Sequence, residues 1–468
     1  MVSERMSPVD RAWLMMERPT NPMMIVGVII LAGPVDRAQL RSLVAERFLV
    51  FDRFRCRPVQ EAFAAQWVQS GQFDLDDHII EAALPRGAGQ PELEALVGEL
   101  AGTQFNPSRP WWSFHLVEKY RNGSAVVVRI HHCYADGIAL VRVLLRLADG
   151  AEGTSAPPAQ RPQAASSSPF SLGSLYTPFA DLLAKTLREG ADLVEHGLHY
   201  TLHPGEAAQA ARGAAGIIGE LAHIGSLPDD PPTRLKQPLC GVRRVAWAAP
   251  LAFEEVRTIG RVLGCTINDV LTATLAGALG RYLESQGDSV KGVTLHAAVP
   301  VNMRAEGDSE PALGNRFGLV FVALPVGIRH PLERLYAVRT AMQALKGSSQ
   351  ALVTLGLLAA IGSLPTAIED PVIALFTAKA SLVASNVPGP RQALHFGGVP
   401  MSQMLFWVPQ AGSIGTGISM LTYNGQVQFG VISDRQMIAD PGKLVQIIET
   451  EFERLVFLVL LGAGSLAD

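Results

Sequence analysis

Apolar runs alternate with amphipathic segments along the first 150 residues. Met23–Leu31 is an almost continuous apolar run rich in β-branched residues, which predicts a buried strand. Asp36–Arg47 carries apolar residues at helical spacing. A second strand-like run, Ala125–His132, is followed by Gly137–Leu147, where helical spacing returns. The alternation predicts an α/β (α+β) fold in which two adjacent histidines end a strand just before a helix.

The same pattern resumes after a long interruption. Residues 151–232 begin with an Ala-, Ser-, Pro- and Gly-rich stretch typical of linkers and continue with Ala-rich helical segments. From residue 233 to residue 468 the spacing predicts strands at Val245–Ala249, Val293–Pro300, Phe317–Leu324 and Gln426–Ile432, and helices at Leu251–Leu263 and Ile267–Leu283. We therefore expect two lobes, residues 1–150 and 233–468, joined by a linker and a helical insert.

Composition narrows the class of protein. Hydrophobic residues make up 48% of the chain and charged residues 18%, below the usual share of about 25%. The net charge of -4 argues against a nucleic-acid partner, because such proteins carry a basic surface. The four cysteines are scattered without a CxxC pair, which favours free thiols in a reducing compartment over disulfides or a zinc site.

The most apolar stretches bear on a membrane role. Pro22–Val35, Ala351–Leu364 and Leu455–Ala467 are each shorter than the roughly 20 residues that span a bilayer. Charged residues precede the first apolar run, so the N-terminus does not resemble a signal peptide. We expect a cytoplasmic protein, with peripheral membrane contact left open because it needs only an exposed apolar patch.

The segment His131-His132-Cys133-Tyr134-Ala135-Asp136-Gly137 carries the clearest chemistry. A neutral imidazole can take a proton from a hydroxyl while that hydroxyl attacks a carbonyl. Adjacent strand residues point to opposite faces, so only one of the two histidines faces a given cavity. We interpret His132 as the base and His131 as a supporting or packing residue. A metal site is disfavoured, because no further ligands follow at a recognised spacing.

Three neighbours of the histidines receive other roles. Asp136 opens the following helix, where a carboxylate caps backbone amides, and we interpret it as structural support for the histidine loop. Gly137 is expected to let the chain turn sharply beside this charge. Cys133 is an alternative nucleophile, but on a strand it points away from His132, so covalent catalysis is disfavoured.

At this point the chain resembles a known family, the bacterial wax ester synthases/diacylglycerol acyltransferases, which belong to the CoA-dependent acyltransferases. The resemblance is collinear over nearly the whole chain, and HHCYADG matches the catalytic motif without departure. The other matching segments are Met6–Asp10, Pro19–Met23, Arg109–Trp112 (a "PLW" motif with Trp111 in place of Leu), Thr266–Val270 ("ND"), Pro300–Arg304 ("PVSxR" with Asn for Ser), Gly314-Asn315 and Ser385–Pro390 (SNVPGP).

The resemblance implies two chloramphenicol-acetyltransferase-like lobes with an active-site tunnel at their interface. It also implies that the second histidine of the motif, His132, is the base, as strand geometry suggested. Related enzymes brace the motif aspartate with an arginine, and Arg304 is the hypothesised partner of Asp136. Acyl-CoA is implied as a substrate, and no cofactor is expected.

The remaining roles are expectations with alternatives. Asn268 is the candidate donor for the oxyanion of a tetrahedral intermediate, although an asparagine at a helix start also caps the helix. Asp269 is a first-turn dipole partner or a brace between the lobes. The Ser385–Pro390 segment reads as a turn that supports the cavity. The candidate contacts to CoA phosphates are Arg243, Arg244, Arg257 and Arg261. A solvated helix face explains Arg257 and Arg261 at least as well.

The leading hypothesis is acyl transfer from acyl-CoA to a long-chain alcohol or diacylglycerol, giving wax ester or triacylglycerol. The low charge content fits an enzyme that handles apolar substrates at the inner membrane face or at lipid droplets. One alternative keeps the fold but changes the acceptor or uses a carrier-bound donor, as peptide-synthetase condensation domains do. The other is a non-catalytic lipid-binding protein, which the intact His132 and Asp136 argue against.

Overall fold

The computed structural model describes residues 3–61, 64–71, 73–149, 228–303, 313–346, 348, 350–362 and 366–465. Most of the predicted linker and helical insert, residues 151–227, lies outside the described residues, as does Arg304. The described chain is mixed α/β, as the sequence predicts.

The strands of the described part, numbered in chain order, are β1 (Ser3–Arg5), β2 (Met24–Leu31), β3 (Cys56–Gln60), β4 (Ala65–Gln69), β5 (Ile79–Glu81), β6 (Trp112–Tyr120), β7 (Gly123–His131), β8 (Arg243–Trp247), β9 (Leu251–Ala252), β10 (Leu295–Asn302), β11 (Phe317–Leu324), β12 (Leu382–Pro388), β13 (His395–Phe396), β14 (Val399–Trp407), β15 (Thr416–Tyr423) and β16 (Gln426–Asp434).

The helices of the described part are α1 (Pro8–Met15), α2 (Arg37–Leu43), α3 (Gln90–Gly102), α4 (Gly137–Leu145), α5 (Phe253–Val262), α6 (Ile267–Ser285), α7 (Pro331–Leu345), α8 (Gln350–Ile361), α9 (Thr366–Ala378) and α10 (Pro441–Ser465). Taken singly, none of these helices is long and apolar enough to cross a membrane. Only α5 and α6 together, bent by 100° relative to each other, would meet that test.

Two large sheets form the two lobes. The first has the order β13-β14-β2-β7-β6-β5, and the second has the order β11-β10-β12-β15-β16-β8, with β9 beside β16. A small sheet, β1-β4-β3, flanks the first lobe. β7 ends at His131, which still pairs with Met24 of β2, so His132 is the first motif residue beyond the hydrogen-bonded ladder of the first sheet.

One strand of the first sheet comes from the far end of the chain. Trp407 to Met401 of β14 pair antiparallel with Val26 to Leu31 of β2. The predicted division at residue 233 therefore does not follow the sheets, because residues 395–407 belong to the sheet of residues 1–150. The reason is a pairing between distant segments, which local periodicity does not encode.

The central strand β2 shows why its sequence is apolar throughout. Ile25 and Ile29 point into the main core of the first lobe. Val26 and Val28 point to the opposite face, into a cluster that includes Trp247 of the second sheet. Both faces of the strand are buried, and the second face lies against the other lobe, so no polar position is tolerated.

Two helix starts follow from local chemistry. Asp136 caps α4, and its Oδ1 accepts a hydrogen bond from Ala139 N at 2.9 Å. Thr266 caps α6 in a reciprocal pair, in which Asp269 N donates to Thr266 Oγ1 and Thr266 N donates to Asp269 Oδ2. Polar side chains that satisfy the free amides of a first turn fix where a helix begins, and both starts were predicted.

Helix α8 packs so closely on β11 that one position admits only glycine. A Cβ atom on Gly318 would lie 1.7 Å from Ala351 O, which is backbone and does not yield easily. We expect Gly318→Ala to lower the free energy of unfolding by about 1–3 kcal/mol. Urea denaturation would measure this loss of stability. The control is the exposed Gly71→Ala, because a Cβ atom on Gly71 has no other atom within 4 Å. Equal stability of the two variants would contradict this packing.

Candidate active site

His132 lies directly beyond the end of β7, where the first lobe meets the second. Its backbone N–H donates to Met23 O at 2.8 Å, which holds the residue against the neighbouring strand. The imidazole stacks on Trp13, with ring centroids 4.1 Å apart, and lies 5.5 Å from the ring of Phe317 at the start of β11. Side chains of both lobes therefore enclose His132, which is only 3% exposed.

Burial controls the protonation of this imidazole. The pKa of His132 is lowered to about 3, mainly by loss of solvation and to a smaller extent by the neighbouring His131. His132 is consequently neutral at pH 7, which is the form that accepts a proton. A neutral, buried imidazole of this kind is able to accept a proton from a hydroxyl.

His131 makes a different set of contacts. Its Nδ1 accepts a hydrogen bond from Cys133 N at 3.1 Å, and its Nε2 lies 3.3 Å from Glu17 Oε2. The ring of Trp111 meets it edge-on, with centroids 4.8 Å apart. These contacts tie His131 to the loop around the motif and separate it from the surroundings of His132. The two side chains diverge, as the strand geometry predicted.

Asp136 stabilises the loop that follows His132 at its other end, where α4 begins. It is 3% exposed, and in addition to capping α4 it accepts a hydrogen bond on Oδ2 from Arg316 N at 3.0 Å. The expected structural role thus includes a direct contact with the second lobe. The proposed partner Arg304 lies outside the described residues, so that pairing stays a prediction.

A short segment of the second lobe, residues 314–316, meets the motif at three points. Gly314 pairs with Ala135 in an isolated β-bridge and has a φ of +117°, which glycine adopts without strain. Asn315 donates to His132 O at 2.9 Å and, through its N–H and its amide, to Asp10 Oδ1 at 3.0 and 2.7 Å. This junction joins the lobes at the histidine motif.

Asn268 and Asp269 occupy the first turn of α6. Asn268 Oδ1 accepts a hydrogen bond from Asn386 Nδ2 at 2.5 Å, so the Asn268 amide is oriented by β12 and its own NH2 group points elsewhere. Asp269 is engaged with Thr266, which agrees with a first-turn role. The pairing of Asn268 with Asn386 links two of the sequence motifs in space.

The structure corrects the expectation for Arg243. Its guanidinium is buried and donates to Asn21 Oδ1 and to Gly415 O, so it joins the two lobes and is not free for a phosphate. Arg244, Arg257 and Arg261 are exposed, and Arg257 pairs with Glu254 one turn away. A cleft of about 630 Å³ between α3 and β8 is lined by Arg243 and Arg244, but it does not contain His132.

The structure gives Gly137 a role that differs from the predicted one. Gly137 does not adopt a positive φ. A Cβ there would approach Val408 Cγ1 to 3.2 Å, so the position requires close packing and not a sharp turn. Ser385–Pro388 belongs to β12, so most of the segment that was predicted as a turn is strand, and only Gly389 and Pro390 lie beyond it. A Cβ on Gly389 would lie 2.3 Å from Thr422 O, which again requires glycine for close approach.

Cys133 is fully buried, and burial raises its thiol pKa well above the usual 9.0. A thiolate is therefore disfavoured, which argues against covalent catalysis at this residue. Within the described ranges, no group of three or more His, Cys, Asp or Glu side chains is arranged to hold a metal ion.

Four residues to which the sequence assigned no role contact the site residues or their partners: Asp10, Trp13, Asn315 and Asn386. Asp10, Asn315 and Asn386 lie within motifs that were noted for their resemblance, but a motif match does not reveal which distant side chains meet. Trp13 lies outside these motifs.

Comparisons with known proteins agree with this geometry. A sequence profile described as the wax ester synthase/diacylglycerol acyltransferase catalytic domain matches residues 6–271, more than half of the chain. The chain belongs to this family. A second profile, the C-terminal domain of the same family, matches residues 313–456. The protein is thus an acyltransferase of the wax ester synthase/diacylglycerol acyltransferase family.

Individual relatives extend over the whole chain. A putative diacylglycerol O-acyltransferase of Mycobacterium bovis is 28% identical, with 92% of this chain and 91% of the relative covered. A wax ester synthase/diacylglycerol acyltransferase from Marinobacter aquaeolei VT8 has a similar structure, with a TM-score of 0.67 at 22% identity over 97% of this chain and 99% of that one. The first condensation domain of the calcium-dependent antibiotic synthetase aligns with a TM-score of 0.59 at 16% identity, covering 98% of this chain and 96% of that domain. These structures share the two-lobe fold.

The depressed pKa of His132 makes stability depend on pH. In the unfolded chain this histidine binds a proton below about pH 6.5, whereas the folded protein takes it up only near pH 3. Stability is therefore lost as pH falls below 6.5, by about 2 kcal/mol at pH 5. We expect His132→Gln to reduce the loss of unfolding free energy between pH 7.5 and pH 5 by this amount.

Urea denaturation at the two pH values provides the measurement. The exposed His395→Gln is the matched control and should keep the loss seen in the unmodified protein. An unchanged pH dependence in His132→Gln would mean that the imidazole is solvated and titrates normally.

Proposed function

We propose that this enzyme transfers a long-chain acyl group from acyl-CoA to the hydroxyl of a fatty alcohol or diacylglycerol, with His132 as general base. The observation that carries the proposal is the buried, neutral imidazole of His132 between the two lobes. A base of this kind needs no acyl-enzyme, because it activates the acceptor hydroxyl directly. The products would be a wax ester or triacylglycerol and free CoA.

In the proposed mechanism, His132 Nε2 takes the proton from the acceptor hydroxyl while its oxygen attacks the thioester carbonyl. The resulting tetrahedral intermediate collapses, the C–S bond breaks, and the CoA thiolate receives the proton back from His132. An acceptor oxygen has to come within about 3 Å of Nε2 for this step.

Asn268 is the proposed donor to the oxyanion of the intermediate. Its Oδ1 is occupied by Asn386, so the group that remains for a substrate is the NH2. A preoriented amide stabilises developing negative charge without reorganising during the reaction. Within this proposal, Asn386 serves as a positioning residue for Asn268.

Exposed residues of the second lobe are candidates for contact with the substrates. Arg244, Arg257 and Arg261 are exposed and remain candidates for CoA phosphates, whereas the buried Arg243 is withdrawn. The apolar substrates suggest peripheral contact with a membrane or a lipid-droplet surface. The similar fold of condensation domains keeps a second candidate function, in which another acceptor such as an amine is acylated.

A thiol-release assay tests the reaction. With palmitoyl-CoA, we expect free CoA to appear with hexadecanol or dipalmitoylglycerol but not with hexadecylamine. His132→Ala should lower kcat at least about 1,000-fold, because the base is lost, and His395→Ala serves as an exposed control. Turnover with the amine alone would favour the condensation-type reaction. Full activity of His132→Ala would exclude His132 as the base.

Substitution of Asn268 separates oxyanion stabilisation from a purely structural role, because Thr266 and not Asn268 caps α6. We expect Asn268→Ala to lower kcat about 100- to 1,000-fold with little change in the KM for palmitoyl-CoA, as loss of an oxyanion donor does. Thr266 caps α6 independently, so the melting temperature should fall only slightly. A variant with normal kcat, or with a KM increase alone, would assign Asn268 to a structural role.

A further inference from the structure

We propose that Glu17 positions the proposed base by holding two consecutive backbone amides, those of His132 and Cys133, through one carboxylate oxygen. This inference rests on the proposed function of His132 and adds a residue that acts on it through the backbone. Glu17 lies just after α1, and its side chain is 17% exposed, so most of it is enclosed by the protein.

A tight turn places the Glu17 side chain beside the start of β2. Asn21 N donates to Arg18 O at 3.0 Å, and Pro19 occupies the second position of this turn. Proline suits that position because its ring fixes φ at about −65°. The Asn21 side-chain amide also donates to two backbone carbonyls between β14 and β15, at 3.0 and 3.1 Å. The turn and its anchor together bring Met23 back to Glu17.

The first contact of Glu17 leads to His132 through Met23. Met23 N donates to Glu17 Oε2 at 2.5 Å, a short hydrogen bond to a charged acceptor. Met23 O in turn accepts the hydrogen bond from His132 N at 2.8 Å. The carboxylate therefore fixes the residue whose carbonyl binds the backbone of the proposed base.

The second contact leads to Cys133 through His131. His131 Nδ1 accepts a hydrogen bond from Cys133 N at 3.1 Å, so Nδ1 carries a lone pair and the hydrogen of the neutral ring is on Nε2. Nε2 lies 3.3 Å from Glu17 Oε2, the same oxygen that binds Met23. His131 is 1% exposed, and a negative charge this close to its N–H stabilises the ring in this orientation.

One oxygen of Glu17 therefore controls the backbone amides on either side of the His132 side chain. The peptide groups that flank a residue set the direction of its Cα–Cβ bond, and with it the place of the imidazole in the site. A displacement of about 1 Å in a catalytic group costs about 100-fold in rate, because the reacting atoms no longer meet correctly. Loss of Glu17 should thus slow the chemical step and leave binding of the thioester nearly unchanged.

Substitutions of Glu17 separate this positioning role from a general structural one. Glu17→Met keeps the length of the side chain but has no oxygen, and we expect kcat to fall about 100-fold while KM for palmitoyl-CoA stays within about 3-fold. Glu17→Gln keeps an oxygen that accepts both contacts and should retain kcat within about 10-fold. The exposed Glu453→Met is the matched control and should behave like the unmodified protein.

Hydrogen exchange reads the backbone without any substrate. In Glu17→Met, the amides of His132 and Cys133 should exchange at least about 10-fold faster, because their acceptors are no longer held in place. The amides in the middle of β7 should keep their rates, since both neighbouring strands still pair with them. Glu17→Gln should exchange like the unmodified protein.

A third variant keeps the test decisive if Glu17→Met does not fold. Glu17→Asp retains the charge but withdraws the carboxylate by one C–C bond, so the same loss of kcat and the same faster exchange are expected. Unchanged exchange at both amides, or equal kcat in Glu17→Gln and in the Met or Asp variant, would overturn the inference. Absence of acyl transfer by the unmodified protein, together with the expected change in exchange, would refute the proposed function only.

Discussion

Two buried carboxylates, Asp10 and Asp136, accept hydrogen bonds from consecutive backbone amides of the second lobe. Asp10 accepts from Asn315 N and Asp136 accepts from Arg316 N, each at 3.0 Å. A carboxylate removed from water is costly unless hydrogen bonds replace its hydration, so each group needs the segment that it binds. Both carboxylates come from the first lobe, and Asp136 is itself part of the histidine motif. The junction therefore fixes the lobes and the motif together.

The properties of His132 follow from this closure. Once residues 314–316 lie against the motif, the adjoining Phe317 and the first-lobe Trp13 cover the imidazole and exclude water. Exclusion of water lowers the pKa of His132, and the neutral ring persists well below pH 7. Burial, which is usually a feature of stability, here also sets the chemical state of the proposed base. The contact between the two lobes therefore determines both the packing around His132 and the protonation state of its imidazole.

Local sequence predicts many single elements of the site, but it does not predict which distant residues contact each other there. The end of β7, the cap at Asp136 and the capping pair at the start of α6 are set by neighbours within a few residues, and all were predictable. The pairing of β14 with β2 and the burial of Arg243 depend on residues hundreds of positions apart. Asn315 is the clearest example, because its importance lies entirely in the two distant groups that it joins.

The pH dependence of kcat/KM for palmitoyl-CoA with hexadecanol shows whether a buried, neutral His132 is the base. The acidic limb of this profile reports the pKa of the essential base in the free enzyme. We expect kcat/KM to stay level from pH 8 down to about pH 5, because burial lowers the pKa of His132 to about 3. A limb centred near pH 6.5, the value of a solvated imidazole, would contradict it.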